Sequence, residues 1–427
     1  MSIQAALKAR EEALAPALEQ SLRRAAERVP GFAARLAEAG LTPDSFQAGH
    51  AVSEVLGQLP VLSKDELVER RQQADPPHGG MLAADADVAR WFQSPGPLYE
   101  PQLEGADWRW GQALADLGVG AEDVVINCFG YHLSPAGAML EQGVRSVGAA
   151  VVPGGIGNQD LQARALADLG VTGYVGLPSY LKALIERFDG LEGVAADRWR
   201  LERALMTAEP LPESLRAVIA ERVPAARMAY GTGETGLLAW EPAGEDPLAG
   251  HGMVLADGVD VQVCEIGTGR PVDDGTEGEV VVTLLRSDYP LVRFGTGDLS
   301  GWTLGPDGSL RLRGVLGRTG AAVKVRGMFL HPRQVASVME GVEGVADYRF
   351  VIERVDHVDQ LRCEVVPAAA SGGEPGAGAT TTGPEGEALA RRVADRVREG
   401  LRFSTRVQVV EALSPGDGPV VDVRDWS

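Results

Sequence analysis

Two hydroxyls and a carboxylate stand within four residues of one another in Ala229-Tyr230-Gly231-Thr232-Gly233-Glu234-Thr235-Gly236. Thr232, Glu234 and Thr235 put their oxygens on one turn, which suits phosphate or a magnesium ion bound to phosphate. Glycines at 231, 233 and 236 let the backbone turn sharply and approach a ligand closely. Tyr230 offers a flat face to an aromatic ring. A Gly/Thr turn behind a strand is also ordinary turn chemistry, so this stretch by itself does not define a site. Two further stretches carry chemistry-bearing side chains. Tyr289-Pro290-Leu291-Val292-Arg293-Phe294-Gly295-Thr296-Gly297-Asp298-Leu299 sets Asp298 in a glycine-rich turn, and Gly317-Arg318-Thr319-Gly320-Ala321-Ala322-Val323-Lys324-Val325-Arg326-Gly327 holds three cations. Lysine is scarce, occurring only at positions 8, 64, 182 and 324.

The elements that must position these residues follow from periodicity. Residues 1–50 read as helices, with Ile3, Leu7, Leu14, Leu18 and Leu22 near helical spacing. Ser63 with Glu66 three residues on reads as a capping box that starts another helix at Lys64. From 122 to 230, strands alternate with helices: strands at 123–128, 148–152, 171–175 and 204–207, and helices at 135–146, 159–169, 179–188 and 212–222. That alternation predicts a mostly parallel, doubly wound sheet, on which ligands bind beyond the carboxyl ends of the strands. The loops there are Phe129-Gly130-Tyr131-His132, Pro153-Gly154-Gly155, Ala208-Glu209-Pro210 and the turn after Tyr230. Residues 250–315 read as a small β subdomain, with strands at 259–264, 278–285 and 309–313 between Gly/Asp turns. After residue 317 the chain restarts as a small α+β unit. The expected organisation is therefore a large domain over 1–317 (helices 1–75, α/β core 85–245, β subdomain 250–315) and a small mobile domain over 318–427, hinged near 318–320. Residues 372–386, rich in Gly, Thr, Pro and Ala, read as a flexible surface loop.

Composition narrows the function classes. With 427 residues, 44% of them hydrophobic, the chain can bury a large core. Forty Lys and Arg against 60 Asp and Glu give a net charge of −20, which argues against nucleic acid or an anionic membrane as the main partner. No run of 18 apolar residues is present, and residues 1–24 lack the apolar core of a signal peptide. Three isolated cysteines, Cys128, Cys264 and Cys363, suggest neither a disulfide framework nor a metal site. A cytoplasmic location is the expectation.

In this order and at these separations the three stretches resemble the signature motifs of adenylate-forming enzymes, the acyl-CoA synthetases and their relatives, and most of all the phenylacetate-CoA ligase-like branch. The resemblance runs along nearly the whole chain. It implies ATP-dependent activation of a small carboxylic acid to an acyl-adenylate, then transfer to coenzyme A, with ATP/AMP, Mg²⁺ and coenzyme A as cofactors. It implies that Glu234 holds Mg²⁺, that Thr232 or Thr235 touches phosphate beside Gly231, and that Tyr230 stacks on adenine. Ala208, Glu209 and Pro210 would flank that base, Asp298 would hold both ribose hydroxyls, a task for one bidentate acceptor, and Arg318 would lie near the ribose at the domain junction. Gly327 would let pantetheine pass, with Arg326 or Lys324 meeting CoA phosphates. Tyr131, His132, Gly154, Gly155 and Ala229 would line the acyl pocket, His132 not as a catalytic base. Relatives are often dimers, so a homodimer is a possible partner arrangement.

The sequence departs from that pattern in three places. The stretch 91–101 stands where the family has a Ser/Thr/Gly-rich phosphate loop, but it carries Pro95, Pro97 and Pro101, which have no N–H to offer. Ser94, the N–H of Gly96 and Tyr99 remain, and a stiff proline turn is an equal reading. The hinge position is Gly320 rather than Asp. Near the C-terminus the family has a Gly-Lys whose ammonium reaches the α-phosphate; here Gly418 is followed by Pro419. Loss of one such charge costs about 3–4 kcal/mol in a transition state, and Arg424 lies five residues further on. Two other readings stay open: a nucleotide- or CoA-ester-binding protein without turnover, and an enzyme of this fold using one half-reaction or an acceptor other than CoA.

Overall fold

The computed structural model of the protein describes residues 2–46, 52–76, 78–94, 98–319, 323–326, 328–330, 332–355, 358–368, 383–416 and 418–424. The chain forms two compact units: residues 1–211 with 216–319, and residues 212–215 with 320–427.

Four helices open the first unit: α1 (Ile3–Arg28), α2 (Pro30–Glu38), α3 (Val52–Gln58) and α4 (Lys64–Gln73). Leu18, Leu22, Phe32, Leu36, Val55 and Leu56 bury one apolar cluster among the first three. At the start of α4 the Ser63 hydroxyl accepts from the Glu66 N–H (3.1 Å). The Glu66 carboxylate accepts from Arg70 (2.8 Å), so the cap forms on its serine side.

Strands β1 (Val88–Ser94) and β2 (Leu98–Leu103) follow, then α5 (Trp110–Asp116), β3 (Val124–Asn127), α6 (Ala136–Ser146), β4 (Ala150–Val152), α7 (Gln159–Leu169), β5 (Gly173–Gly176), α8 (Pro178–Asp189), β6 (Arg203–Met206), α9 (Glu213–Ala220), β7 (Ala225–Thr232) and β8 (Gly236–Trp240). Next come β9 (Met253–Leu255), β10 (Val259–Cys264), β11 (Gly278–Leu284), β12 (Phe294–Ser300), β13 (Trp302–Leu304), β14 (Leu310–Leu312) and β15 (Gly317–Arg318).

Among the described residues the main sheet has nine strands, in the order β13-β14-β9-β8-β7-β6-β5-β3-β4. From β4 to β7 all neighbours are parallel, as the β/α alternation predicts. The strand order reverses between β3 and β5, which opens a crevice at their carboxyl ends. From β7 onwards the neighbours are antiparallel. The segment read as one β subdomain therefore divides between two sheets: β9, β13 and β14 extend the main sheet, while β10-β11-β12-β15 form a second. Alternation within short strands fixes which face is buried but not which sheet a strand joins.

Arg293 is 1% exposed, the largest of the described side chains to be buried so completely. Its guanidinium donates to the Leu56 carbonyl (3.0 Å), to the Gly269 carbonyl and towards the Cys264 sulfur. Arg35, also buried, donates to the carbonyls of Val292 (2.9 Å) and Pro60 (3.0 Å). Leu62 pairs with the same strand, its N–H donating to Arg293 O (2.7 Å) and its carbonyl accepting from Gly295 N (3.0 Å). The segment leading into α4 is thus fastened to the strand leading into Asp298.

The second unit contains β16 (Val323–Val325), β17 (Met328–Leu330), α10 (Pro332–Met339), β18 (Val345–Val355), β19 (Val358–Pro367), α11 (Pro384–Leu401), β20 (Arg406–Val409) and β21 (Val420–Asp422). Its four-stranded sheet runs β20-β19-β18-β21, with Val335, Met339, Leu389, Val393 and Val397 buried with Phe350, Ile352, Leu361 and Val365. No helix among the described residues is long and apolar enough to cross a membrane.

Arg293→Met strands buried carbonyls that the guanidinium satisfies. It is expected to lower stability by about 3 kcal/mol, against less than about 0.5 kcal/mol for the surface change Lys182→Met. Urea midpoints of the two variants measure the difference; equal midpoints would remove Arg293 as a fastening.

Candidate active site

The turn between β7 and β8 is held from below. Gly236 has φ +76°, and a Cβ there would lie 2.7 Å from the Trp108 carbonyl oxygen, so only glycine fits. Arg109, buried beneath the turn, donates to the carbonyls of Thr235 and, at 3.2 Å, Leu237. The Thr232 and Thr235 hydroxyls lie 3.0 Å apart, and the Thr235 N–H donates to Thr232 Oγ1 (3.2 Å).

Glu234 faces the first residue of α4: Lys64 Nζ lies 2.6 Å from its Oε1, with the two side chains 25% and 7% exposed. Burial by itself would push the Glu234 carboxyl up. The Lys64 charge and hydrogen bond outweigh it, with help from Thr232, and hold the group down at about 2. The carboxylate is therefore ionised at any working pH. One ionised carboxylate with two neighbouring hydroxyls fits a magnesium ion that arrives with its own phosphate oxygens. A self-sufficient metal cage is another matter: no cluster of three His, Cys, Asp or Glu able to hold a metal occurs among the described residues.

Tyr230 joins this turn to the second stretch. Its ring is 6% exposed and packs in the main core. Its hydroxyl donates to Asp298 Oδ2 (3.0 Å) and lies 3.2 Å from Thr296 Oγ1. Burial and then the Asp298 charge raise the phenol well above its usual value, so it stays a donor. Asp298 also pairs with Arg318 Nε (3.2 Å), and Arg318 Nη2 donates to the Thr296 carbonyl (3.1 Å). Glu279 steadies the same turn by accepting from the Gly297 N–H (2.9 Å).

The remaining expected residues fall around this centre. The Glu209 carboxylate accepts from the Ser179 hydroxyl (2.6 Å) at the start of α8, and Ala208 has φ +76°. Tyr131 is half-buried, its hydroxyl accepting from Asn127 Nδ2 (2.9 Å), and His132 is exposed. The carbonyls of Gly154 and Gly155 both accept from Gln162 Nε2 (3.0 Å each). Ala229 is a core residue paired with Trp240 across the hairpin. Residues 91–94 pair antiparallel with 98–101, Ser94 opposite Leu98, and residues 95–97 lie outside the described residues. Tyr99 is 53% exposed, while the Ser94 side chain and Gly96 lie outside the described residues.

In the second unit Arg326 has φ +49° and donates from Nε to the Asp359 carbonyl (2.8 Å). The Lys324 side chain, Gly327 and the hinge position Gly320 are outside the described residues. Arg424 is engaged by Asp359 (2.7 Å) and Asp422 (2.6 Å). The Pro419 carbonyl accepts from the Phe350 N–H (2.8 Å), and the Arg349 guanidinium bonds the carbonyls of Ser414 and Gly418.

Sequence reasoning missed Lys64, Arg109, Glu279, Thr296 and a buried trio: Glu100 accepts from Tyr289 (2.7 Å) and pairs with Arg71 (3.4 Å) on α4. Lysine scarcity is the one signal that pointed at Lys64.

These pieces form one frame: a turn of hydroxyls and an acid tied to a second acid with an arginine. Residues 110–283 match the family of AMP-binding enzymes, and over nearly its whole length the chain is similar to phenylacetate-coenzyme A ligases. It is 27% identical to a phenylacetate-coenzyme A ligase of Thermus thermophilus, covering 92% of this chain and 90% of that one. It is 24% identical to its Escherichia coli counterpart, covering 93% and 90%. Among solved structures, a 2-hydroxyisobutyryl-CoA ligase in complex with 2-HIB-AMP and CoA shares the fold with a TM-score of 0.84 at 22% identity, covering 98% of this chain and 91% of that one.

Burial lifts the Glu100 carboxyl from the ordinary 4.5 to about 7, against the pull of Arg71 and with the push of Glu234. A raised carboxyl binds its proton more tightly in the folded state. Its contribution is complete below about pH 4.5 and is lost as pH rises to about 7, up to about 3 kcal/mol. Glu100→Gln is expected to flatten the fall in urea midpoint between pH 5 and 8; parallel profiles would show that Glu100 does not titrate in this range.

Proposed function

We propose that this protein activates a small carboxylic acid, aryl or short aliphatic, with ATP and transfers the acyl group to coenzyme A. One observation carries the reading. Tyr230 leads by its main chain into Thr232, Glu234 and Thr235 and bonds Asp298 through its hydroxyl, so the residues suited to phosphate and those suited to ribose form one frame.

In the first half-reaction a substrate carboxylate oxygen attacks the α-phosphorus, a P–O bond breaks and pyrophosphate leaves. Asp298 accepts from the ribose hydroxyls, kept in place by Tyr230 and Arg318. Thr232 and Thr235 donate to phosphate oxygens. Glu234 holds the magnesium ion, whose charge neutralises the phosphates when bound. Lys64, 2.6 Å from Glu234, supplies the ammonium that Pro419 cannot, and such preorganised charge stabilises the transition state without reorganisation. In the second half-reaction the CoA sulfur, having given up its proton, attacks the acyl carbon, and the bond to AMP breaks. Arg326 and Lys324 are the cations offered to CoA phosphates, with Gly327 on the pantetheine path.

The test is AMP release from Mg-ATP across a panel of aryl and short aliphatic acids, with and without CoA. AMP formed with one acid class and dependent on CoA supports the ligase; acid-dependent AMP without CoA dependence points to another acceptor; no AMP with any acid defeats the reading. In pyrophosphate exchange, Lys64→Met is expected to slow adenylation by about two to three powers of ten. Pro419→Lys should not restore that loss if Lys64 is the working cation, and full rescue would return the role to the C-terminal loop.

A further inference from the structure

We propose that Lys64 is the resident counter-ion of the metal site: it competes with a divalent cation for Glu234 and yields the carboxylate only when phosphate arrives to take up its ammonium. This rests on the nucleotide reading above and adds an order of events to it.

The geometry makes the two cations exclusive. Lys64 Nζ sits 2.6 Å from Glu234 Oε1, and the acid is nearly closed off from solvent. A magnesium ion bonds a carboxylate oxygen at about 2.0–2.1 Å, which would place it within a few ångströms of the ammonium in a poorly screened corner. One of the two must withdraw. The Lys64 backbone cannot: Ser63 caps α4, and Leu62 is bonded on both sides to the strand at 293–295. Only the flexible side chain can move. The neighbouring buried acid, Glu100, already feels the Lys64 charge and is also engaged by Tyr289 (2.7 Å) and Arg71 (3.4 Å). Incoming phosphate is the anion that suits the displaced ammonium, with the Thr232 and Thr235 hydroxyls on its other side.

Two consequences follow. Metal without nucleotide meets an occupied carboxylate and binds weakly. Metal and nucleotide raise each other's affinity by one common factor, as linkage requires. The Lys64–Glu234 pair also keeps the acid ionised and buried while the site waits, which an unpartnered carboxylate would resist.

The experiment is Mn²⁺ binding to the full-length protein, followed by electron paramagnetic resonance and calorimetry, first without nucleotide and then with a non-hydrolysable ATP analogue. Wild type is expected to bind Mn²⁺ weakly alone and at least about tenfold more tightly with the analogue. Lys64→Met should bind Mn²⁺ alone at least about tenfold more tightly than wild type and gain less from the analogue, while Lys64→Arg, which keeps the pair, should behave as wild type. Circular dichroism checks folding, and Lys64→Gln replaces the methionine variant if that one does not fold. Equal nucleotide-free Mn²⁺ affinity in wild type and the neutral variants overturns the competition. Glu234→Ala separates the two levels: loss of Mn²⁺–analogue binding there, with unchanged affinity in Lys64→Met, overturns the competition alone. Unaltered binding in Glu234→Ala removes the metal site itself, and the competition with it.

Discussion

The hydrogen bond from the Tyr230 hydroxyl to Asp298 holds the site together. Tyr230 lies where the main sheet changes from parallel to antiparallel, and Asp298 lies on β12 in the second sheet. Without that bond the oxygen-rich turn and Asp298 would each rest on its own sheet. With it, one buried side chain sets their separation. Burial makes the bond count for more, since a donor and an acceptor enclosed together are shielded from competing water.

The chain carries 20 more acidic than basic side chains, yet its site is built around cations. Lys64, Arg109 and Arg318 each face an acid or a carbonyl from inside the fold. A buried ion costs several kcal/mol to dehydrate, and removing one member of such a pair costs about 3–5 kcal/mol. These groups therefore cannot be incidental decoration in an acidic protein.

The parallel half of the main sheet was legible because each strand is followed by a helix at regular spacing, and that pattern has few solutions. Glu234, Asp298 and Arg318 were legible as types in a recurring order. Lys64 was not, although its helix was: a lysine after a serine cap is what any surface helix shows, and only the 170-residue contact with Glu234 makes it part of the site. The same holds for Arg109 and Glu279, whose partners are main-chain groups of distant turns. The division of strands 250–315 between two sheets was hidden for another reason. Apolar alternation marks a buried face but is silent about which neighbour supplies the hydrogen bonds.

The position after Gly418 bears on where the chemistry finds its charge. Pro419 has no side-chain cation, and the arginines around it have other work: Arg349 fastens the loop by its carbonyls, and Arg424 lies against Asp359 and Asp422. Both are already engaged where they stand, and Asp359 is shared with Arg354 (2.9 Å). Lys64 is placed differently. It stands in the same unit as Glu234 and Asp298, at the first turn of a helix whose N-terminus adds partial positive charge. A cation placed there is held against Glu234 by contacts within one compact unit.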